Sequence, residues 1–186
     1  MINESVKELK VLSVSRCTQD GGAYMAILKE RRGERIMPVL MERSDAFQLL
    51  MKMKGVKPTS LPSSMSDIMK SVFMQSGMNI EEVRISAVQA GVTYCHILYR
   101  EGAVLRMIRY CKAADGLILA YTFDCPVTIQ EALLEQQYMR ETGDGTYSIP
   151  VNSVNIEALK EALKRAVEDE NYELASQLRD EIERRK

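Results

Sequence analysis

Three aspartates, Asp45, Asp67 and Asp115, each fall where a helix is expected to begin. Carboxylates are the donors that Mg²⁺ and Mn²⁺ prefer, with the remaining coordination positions kept by water. Gathered by the fold, the three would hold one such divalent ion. Arg109 and Lys112, a few residues before Asp115, would then present positive charge to an anionic ligand. The same aspartates have a second reading. An acid at a helix start commonly caps it and contributes about 1 kcal/mol, and the sequence leaves both readings open. Arg109 alternates with Ile108 and Tyr110, so it also reads as a solvated strand residue, and Lys112 lacks the bidentate geometry of an arginine.

The other reactive side chains form no recognisable constellation. His96, the single histidine, lies in a strand-like segment with no acid at motif spacing and reads as a satisfied sheet residue. Ser63, Ser64 and Ser66 lack a nearby base that would activate a nucleophile, and read as helix caps. Four scattered cysteines without a Cys-x-x-Cys pair exclude a zinc-ligand spacing. With no leader-like segment and no long apolar run, they point to a reduced, cytoplasmic setting away from membranes. A net charge of −1 provides no global basic field, so contact with DNA or RNA would require a local patch. Twelve methionines include the pairs Met51/Met53, Met65/Met69 and Met74/Met78, which fit core-facing helical positions.

Turn signals organise the elements that must position these residues. Asp20-Gly21-Gly22, Arg32-Gly33, Ala90-Gly91 and Glu101-Gly102 separate strand-like runs. The reading is an α+β fold: six strands in two antiparallel meander triplets, over 9–17, 23–30, 34–41, 82–89, 92–100 and 103–111. Helices are expected over 44–54, 65–77, 115–122 and 129–140, the second opened by a capping-box-like Ser64-x-x-Asp67. Each triplet feeds a helix that begins alike, Ser44-Asp45-Ala46 and Ala114-Asp115-Gly116, which suggests an internal repeat. The chain then divides into a domain over 1–140, a Gly- and Asp-rich linker over 141–154 and a helical hairpin over 155–186.

In the hairpin, Ile156, Leu159, Leu163 and Ala166 repeat at helical spacing, and so do Tyr172, Ala175, Leu178 and Ile182. Asn155 is the expected N-cap of the first helix, and Asn171 the expected turn residue. The Tyr172-Glu173-x-Ala175-x-x-Leu178-Arg179-Asp180 pattern resembles the UVR motif, the hairpin through which UvrB and UvrC of bacterial excision repair contact each other. That resemblance implies that Leu159, Leu163, Tyr172, Ala175, Leu178, Arg179 and Ile182 bind a UVR-containing partner or a second copy of this chain, giving a homo-oligomer.

Upstream, Gly33-Glu34-Arg35-Ile36-Met37-Pro38-Val39 followed by Asp45-Ala46, Met65-Ser66-Asp67-Ile68, and Tyr110-Cys111-Lys112-Ala113-Ala114-Asp115-Gly116-Leu117-Ile118-Leu119-Ala120 occur in order. Together they resemble the bifunctional nuclease domain family. Ser66 stands where that family has His, Tyr110 where it has the first acid of the late segment, and Lys112 where it has Arg. The resemblance implies hydrolysis of DNA or RNA phosphodiesters with a bound Mg²⁺ or Mn²⁺. In that picture Asp115, Asp67, Lys112 and Arg109 are catalytic, and Asp45, Asp67 and Asp115 hold the metal. A domain that has lost catalysis and serves as an oligomerising or repair-associated adaptor is the alternative.

Overall fold

A computed structural model describes residues 5–16, 23–56, 63–141, 147–148 and 156–184. The first triplet is β1 (Val6–Arg16), β2 (Tyr24–Glu30) and β3 (Ile36–Met41), followed by α1 (Arg43–Met53). After α2 (Met65–Gln75) comes the second triplet, β4 (Met78–Gln89), β5 (Val92–Glu101) and β6 (Val104–Lys112), followed by α3 (Ala113–Phe123). Both meanders expected from the turn signals are present and antiparallel.

The sheet has seven strands, ordered β3-β2-β1-β7-β4-β5-β6. The seventh, β7 (Val127–Gln130), corrects the expected helix over 129–140, which shrinks to α4 (Glu131–Gln137). Val127, Thr128 and Ile129 are β-branched and buried on both faces, the environment of a central strand rather than of an amphipathic helix. β7 lies antiparallel to β1 and parallel to β4, so it joins the two triplets into one sheet. β3 is an edge strand, which is why Pro38 is tolerated within it.

The helices follow from their burial. α3 is enclosed almost all round: Ala113, Ala114, Leu117, Ile118, Leu119, Ala120 and Phe123 are all buried, as expected for a central helix. α1 and α2 pack against it. Phe73 of α2 meets Tyr99 and Phe123 edge to face at 5.8 and 5.7 Å, and Lys70 donates to the carbonyl of Thr122 at 2.6 Å. The methionine expectation holds only in part. Met53 and Met69 pack on the core, but Met65 and Met74 face solvent, because the packed side of α2 is set by Met69 and Phe73.

Close approach of α3 to the sheet depends on Gly116. A Cβ there would lie 2.5 Å from Cys95 Sγ and 2.9 Å from Val83 Cγ1. Both neighbours are fully buried, so neither can swing aside. Gly116→Ala is therefore expected to cost about 1–3 kcal/mol by overpacking. A chemical-denaturation midpoint equal to the parent's would refute this.

The C-terminal pair, α5 (Ile156–Glu168) and α6 (Tyr172–Arg184), has its own core of Leu159, Ala166, Ala175, Leu178 and Ile182, with Ile156, Ala162 and Leu163 packed against it. Asn171 is the N-cap of α6: its Oδ1 accepts from the Leu174 N–H at 3.2 Å. The left-handed turn residue is Glu170, at φ 56°, so the turn falls one residue earlier than expected. Tyr172 also departs from the expected seam. At the first position of α6 it is 69% exposed. A two-residue ribbon pairs β8 (Arg140–Glu141) with β9 (Tyr147–Ser148). The rest of the expected linker, and the proposed cap Asn155, lie outside the described residues. Among the described residues no helix is long and apolar enough to cross a membrane.

Candidate active site at two helix N-termini

Each triplet ends in an edge strand from which the chain turns back over the sheet as a helix, α1 after β3 and α3 after β6. Asp45 and Asp115 occupy the same place in these helices, the third residue. The residues before the two helices, Glu42 and Lys112, make no side-chain capping bond. The first-turn amides therefore keep their partial positive charge beside the acids. Packing of α1 on α3 brings the two ends near each other. Glu42, Asp45, Lys112 and Ala114 share the wall of an open cavity of about 180 Å³ with Leu40, Met41 and Thr93.

Electrostatics report the same convergence. The Asp115 carboxyl is held above its ordinary value of 3.8, first by burial, then by the Asp45 charge, with Glu42 adding and Lys112 opposing. Two acids that raise a third occupy one field. The sign follows directly. The folded value exceeds the unfolded one, so this group disfavours the fold as pH rises through the carboxylate range. A neighbouring cation would reverse that preference.

Asp67 does not join them. It closes a capping box with Ser64, whose hydroxyl donates to Oδ2 at 2.6 Å. Its other oxygen takes the Lys52 ammonium at 2.5 Å. These contacts hold its carboxyl below the usual range, Lys52 contributing most and Ser64 next. Lys52 lies at the C-terminal end of α1, seven residues and about 10 Å along the axis from Asp45. The capping reading therefore accounts for Asp67, but not for Asp45 or Asp115. Among the described residues no group of three or more His, Cys, Asp or Glu side chains is set to hold a metal.

Beside Lys112 the edge of the sheet is irregular. Cys95 pairs with Cys111 and Ile97 with Ile108, so His96 alone faces both Arg109 and Tyr110. This is a β-bulge. Tyr110 sits at φ 58°, a left-handed conformation that costs a bulky residue about 1–2 kcal/mol. Its ring stands edge-on to His96, with centroids 5.9 Å apart and planes at 87°. His96 is not the satisfied residue expected from the sequence, because its Nδ1 is buried without a hydrogen-bond partner. Cys95, one residue earlier, is pushed up to about 12 by burial and donates to the Lys112 carbonyl at 3.6 Å, tying β5 to the start of α3. The role of Glu42 was missed because nothing local marks it. The strain at Tyr110 has no sequence signature either.

A larger cavity, of about 270 Å³, opens between β1 and the end of α3. Its Glu8 is ion-paired with Arg31, and Asp124 lines it as well.

The hairpin residues expected to bind a partner divide by exposure. Leu159, Ala175, Leu178 and Ile182 are buried inside the hairpin and Leu163 packs against them, whereas Tyr172 and Arg179 are exposed. Arg179 lies 3.7 Å from Asp180.

Comparison with known proteins agrees with this architecture. Residues 153–185 match the UvrB/UvrC motif. An uncharacterized protein of Mycobacterium tuberculosis, found in two strains, is 23% identical over 166 residues, covering 88% of this chain and 96% of the relative. Residues 26–142, which run from β2 through α4 and include α1 and α3 with their paired aspartates, match the bifunctional nuclease domain, and the chain belongs to that family.

Proposed function

We propose that this chain is a metal-dependent nuclease hydrolysing phosphodiester bonds in DNA or RNA, with Asp45 and Asp115 as the principal ligands of a Mg²⁺ or Mn²⁺ ion. The observation that carries the proposal is the convergence of these two acids, with Glu42, at uncapped helix N-termini beside Lys112. The donor set suits such an ion. Magnesium is commonly held by one or two carboxylates and completes its shell with water and substrate phosphate. When bound, the ion supplies an activated water and neutralises charge on the phosphate. Lys112 adds a cation at the same wall, and the first-turn amides of α1 and α3 favour an approaching phosphate once the acids are neutralised. Asp115 must lose its proton to serve as a ligand, so metal binding is expected to strengthen as pH rises through the carboxylate range. Asp67 is left to its cap and to Lys52.

The test compares labelled single- and double-stranded DNA and RNA in Mg²⁺, Mn²⁺ or EDTA. Cleavage is expected in metal and not in EDTA, and Asp115→Asn is expected to slow it on the order of 100-fold. The same substitution should stabilise the fold at neutral pH by a few tenths of a kcal/mol, since it removes like-charge repulsion. An Asp115→Asn protein that cuts as fast as the parent would exclude this site.

The hairpin supports a second role alongside the first, contact with a UVR-containing protein or with another copy of this chain. Among the described residues Val167, Tyr172 and Leu174 remain exposed near its turn, and offer apolar side chains to a partner. If the parent cuts nothing in either metal, the protein is an interaction module built on the family's fold.

A further inference from the structure

We propose that Tyr110 is a base-stacking platform that selects single-stranded nucleic acid at the edge of the sheet, an inference that rests on the nuclease reading and names its substrate class. Tyr110 is 77% exposed, yet the backbone beneath it is held in a conformation that bulky residues rarely adopt. A solvated tyrosine gains nothing from that strain, and strain of this kind persists where the surroundings impose it, commonly at ligand sites. Here the bulge opposite His96 imposes it, and the T-shaped contact with the His96 ring orients the tyrosine ring. Most of the tyrosine ring is left open to a ligand.

Charge identifies the ligand. β6 carries Arg106, Arg109 and Lys112 and no acid. Arg106 is paired with Glu101, whereas Arg109 and Lys112 make no ion pair among the described residues. Lys112 lies two residues from Tyr110, about 6.6 Å along a strand, and it borders the cavity that holds Asp45 and Glu42. An exposed aromatic flanked by cations is the pairing by which proteins hold unpaired bases while tracking their phosphates. A base in a duplex keeps both faces stacked and cannot use such a ring. A second copy of this strand is the poorer occupant, because a twofold pairing centred between Met107 and Ile108 would set Arg106 against Arg109.

The experiment measures anisotropy of a labelled oligothymidine and of a labelled duplex at low salt, with Ca²⁺ in place of the activating metals. The full-length parent is compared with Tyr110→Gly and Tyr110→Phe, and melting and sedimentation are recorded for each. Tyr110→Gly is expected to weaken single-strand binding about tenfold, to leave duplex binding unchanged, and to raise the melting temperature, because glycine accepts the positive φ. Tyr110→Phe, which keeps the ring, should bind like the parent. A merely structural tyrosine would instead lower the melting temperature when removed and leave binding alone. Single-strand binding by Tyr110→Gly equal to the parent's overturns the inference while leaving the nuclease reading intact. A parent that binds neither oligonucleotide brings down both. A change in sedimentation mass would assign the edge to self-association, and so overturn it.

Discussion

Replacing Arg35 with Met should destabilise the sheet domain by about 1.5–3 kcal/mol, the usual consequence of removing hydrogen bonds to a charged group in a part-buried pair. Arg35 lies in the turn between β2 and β3. Its Nε and Nη2 each donate to Glu30 at 3.0 Å, and Glu30 is only 7% exposed. The same guanidinium reaches Glu135 at 2.9 Å and Glu131 at 3.2 Å on α4. One side chain thus fastens the first triplet to the helix that follows β7. Gly33 makes room for it, since a Cβ there would fall 2.2 Å from Glu30 Oε2. The Arg35 hydrogen bonds hold the Glu30 carboxyl below its ordinary 4.5. Its contribution is therefore present above that value and lost as pH falls through the folded one. In Arg35→Met the orphaned Glu30 should prefer to be protonated, so the deficit relative to the parent should shrink in acid. Denaturation curves at pH 7 and near pH 4 measure both effects. A deficit under 1 kcal/mol at neutral pH, or one that grows in acid, would contradict the clamp. Arg35→Lys should fall between, since it keeps the charge and loses the fork.

Leu178→Asp should unfold the hairpin outright. Two helices of 13 residues each are marginal in isolation, and among the described residues five side chains are buried between them. Burying Leu178 contributes about 1.5–3 kcal/mol, and an aspartate in its place would have to desolvate a charge with no partner. Far-UV circular dichroism should lose the helical signal of α5 and α6. Because the hairpin core and the sheet core are separate clusters, the sheet domain should melt as before. Retained helicity would mean that the seam is not where Leu178 places it. The exposed Tyr172→Ala offers the contrast, with little expected change in helicity.

Much of the scaffold is legible in the sequence because its signals are local. The turns at Arg32-Gly33, Ala90-Gly91 and Glu101-Gly102 mark the meanders, and the Ser64-x-x-Asp67 box starts α2. β7 was hidden because a four-residue strand beside a helix is too short to show a period of its own. Only its burial between β1 and β4 distinguishes it. The site divides in the same way. Asp45, Asp67 and Asp115 share one local pattern, an acid at the third helical position. What separates Asp67 is Ser64 together with Lys52 from another helix, and tertiary packing alone supplies that second contact. The bulge at Tyr110 was invisible for a related reason. A strand of alternating character gives no sign that one partner residue will face two.

The position of β7 governs how this chain can be made. On the inner edge of β1, Val6–Leu9 find their partners at Val127–Gln130, more than a hundred residues later, and β4 waits for the same strand. During synthesis the first meander emerges early, yet the inner edge of β1 stays unpaired until nearly the whole domain has left the ribosome. Non-local pairing of this kind slows folding, and an open strand edge invites association with other chains. The four residues from Val127 to Gln130 are thus the closing step of assembly, and the nascent protein is most in need of chaperone cover just before they arrive.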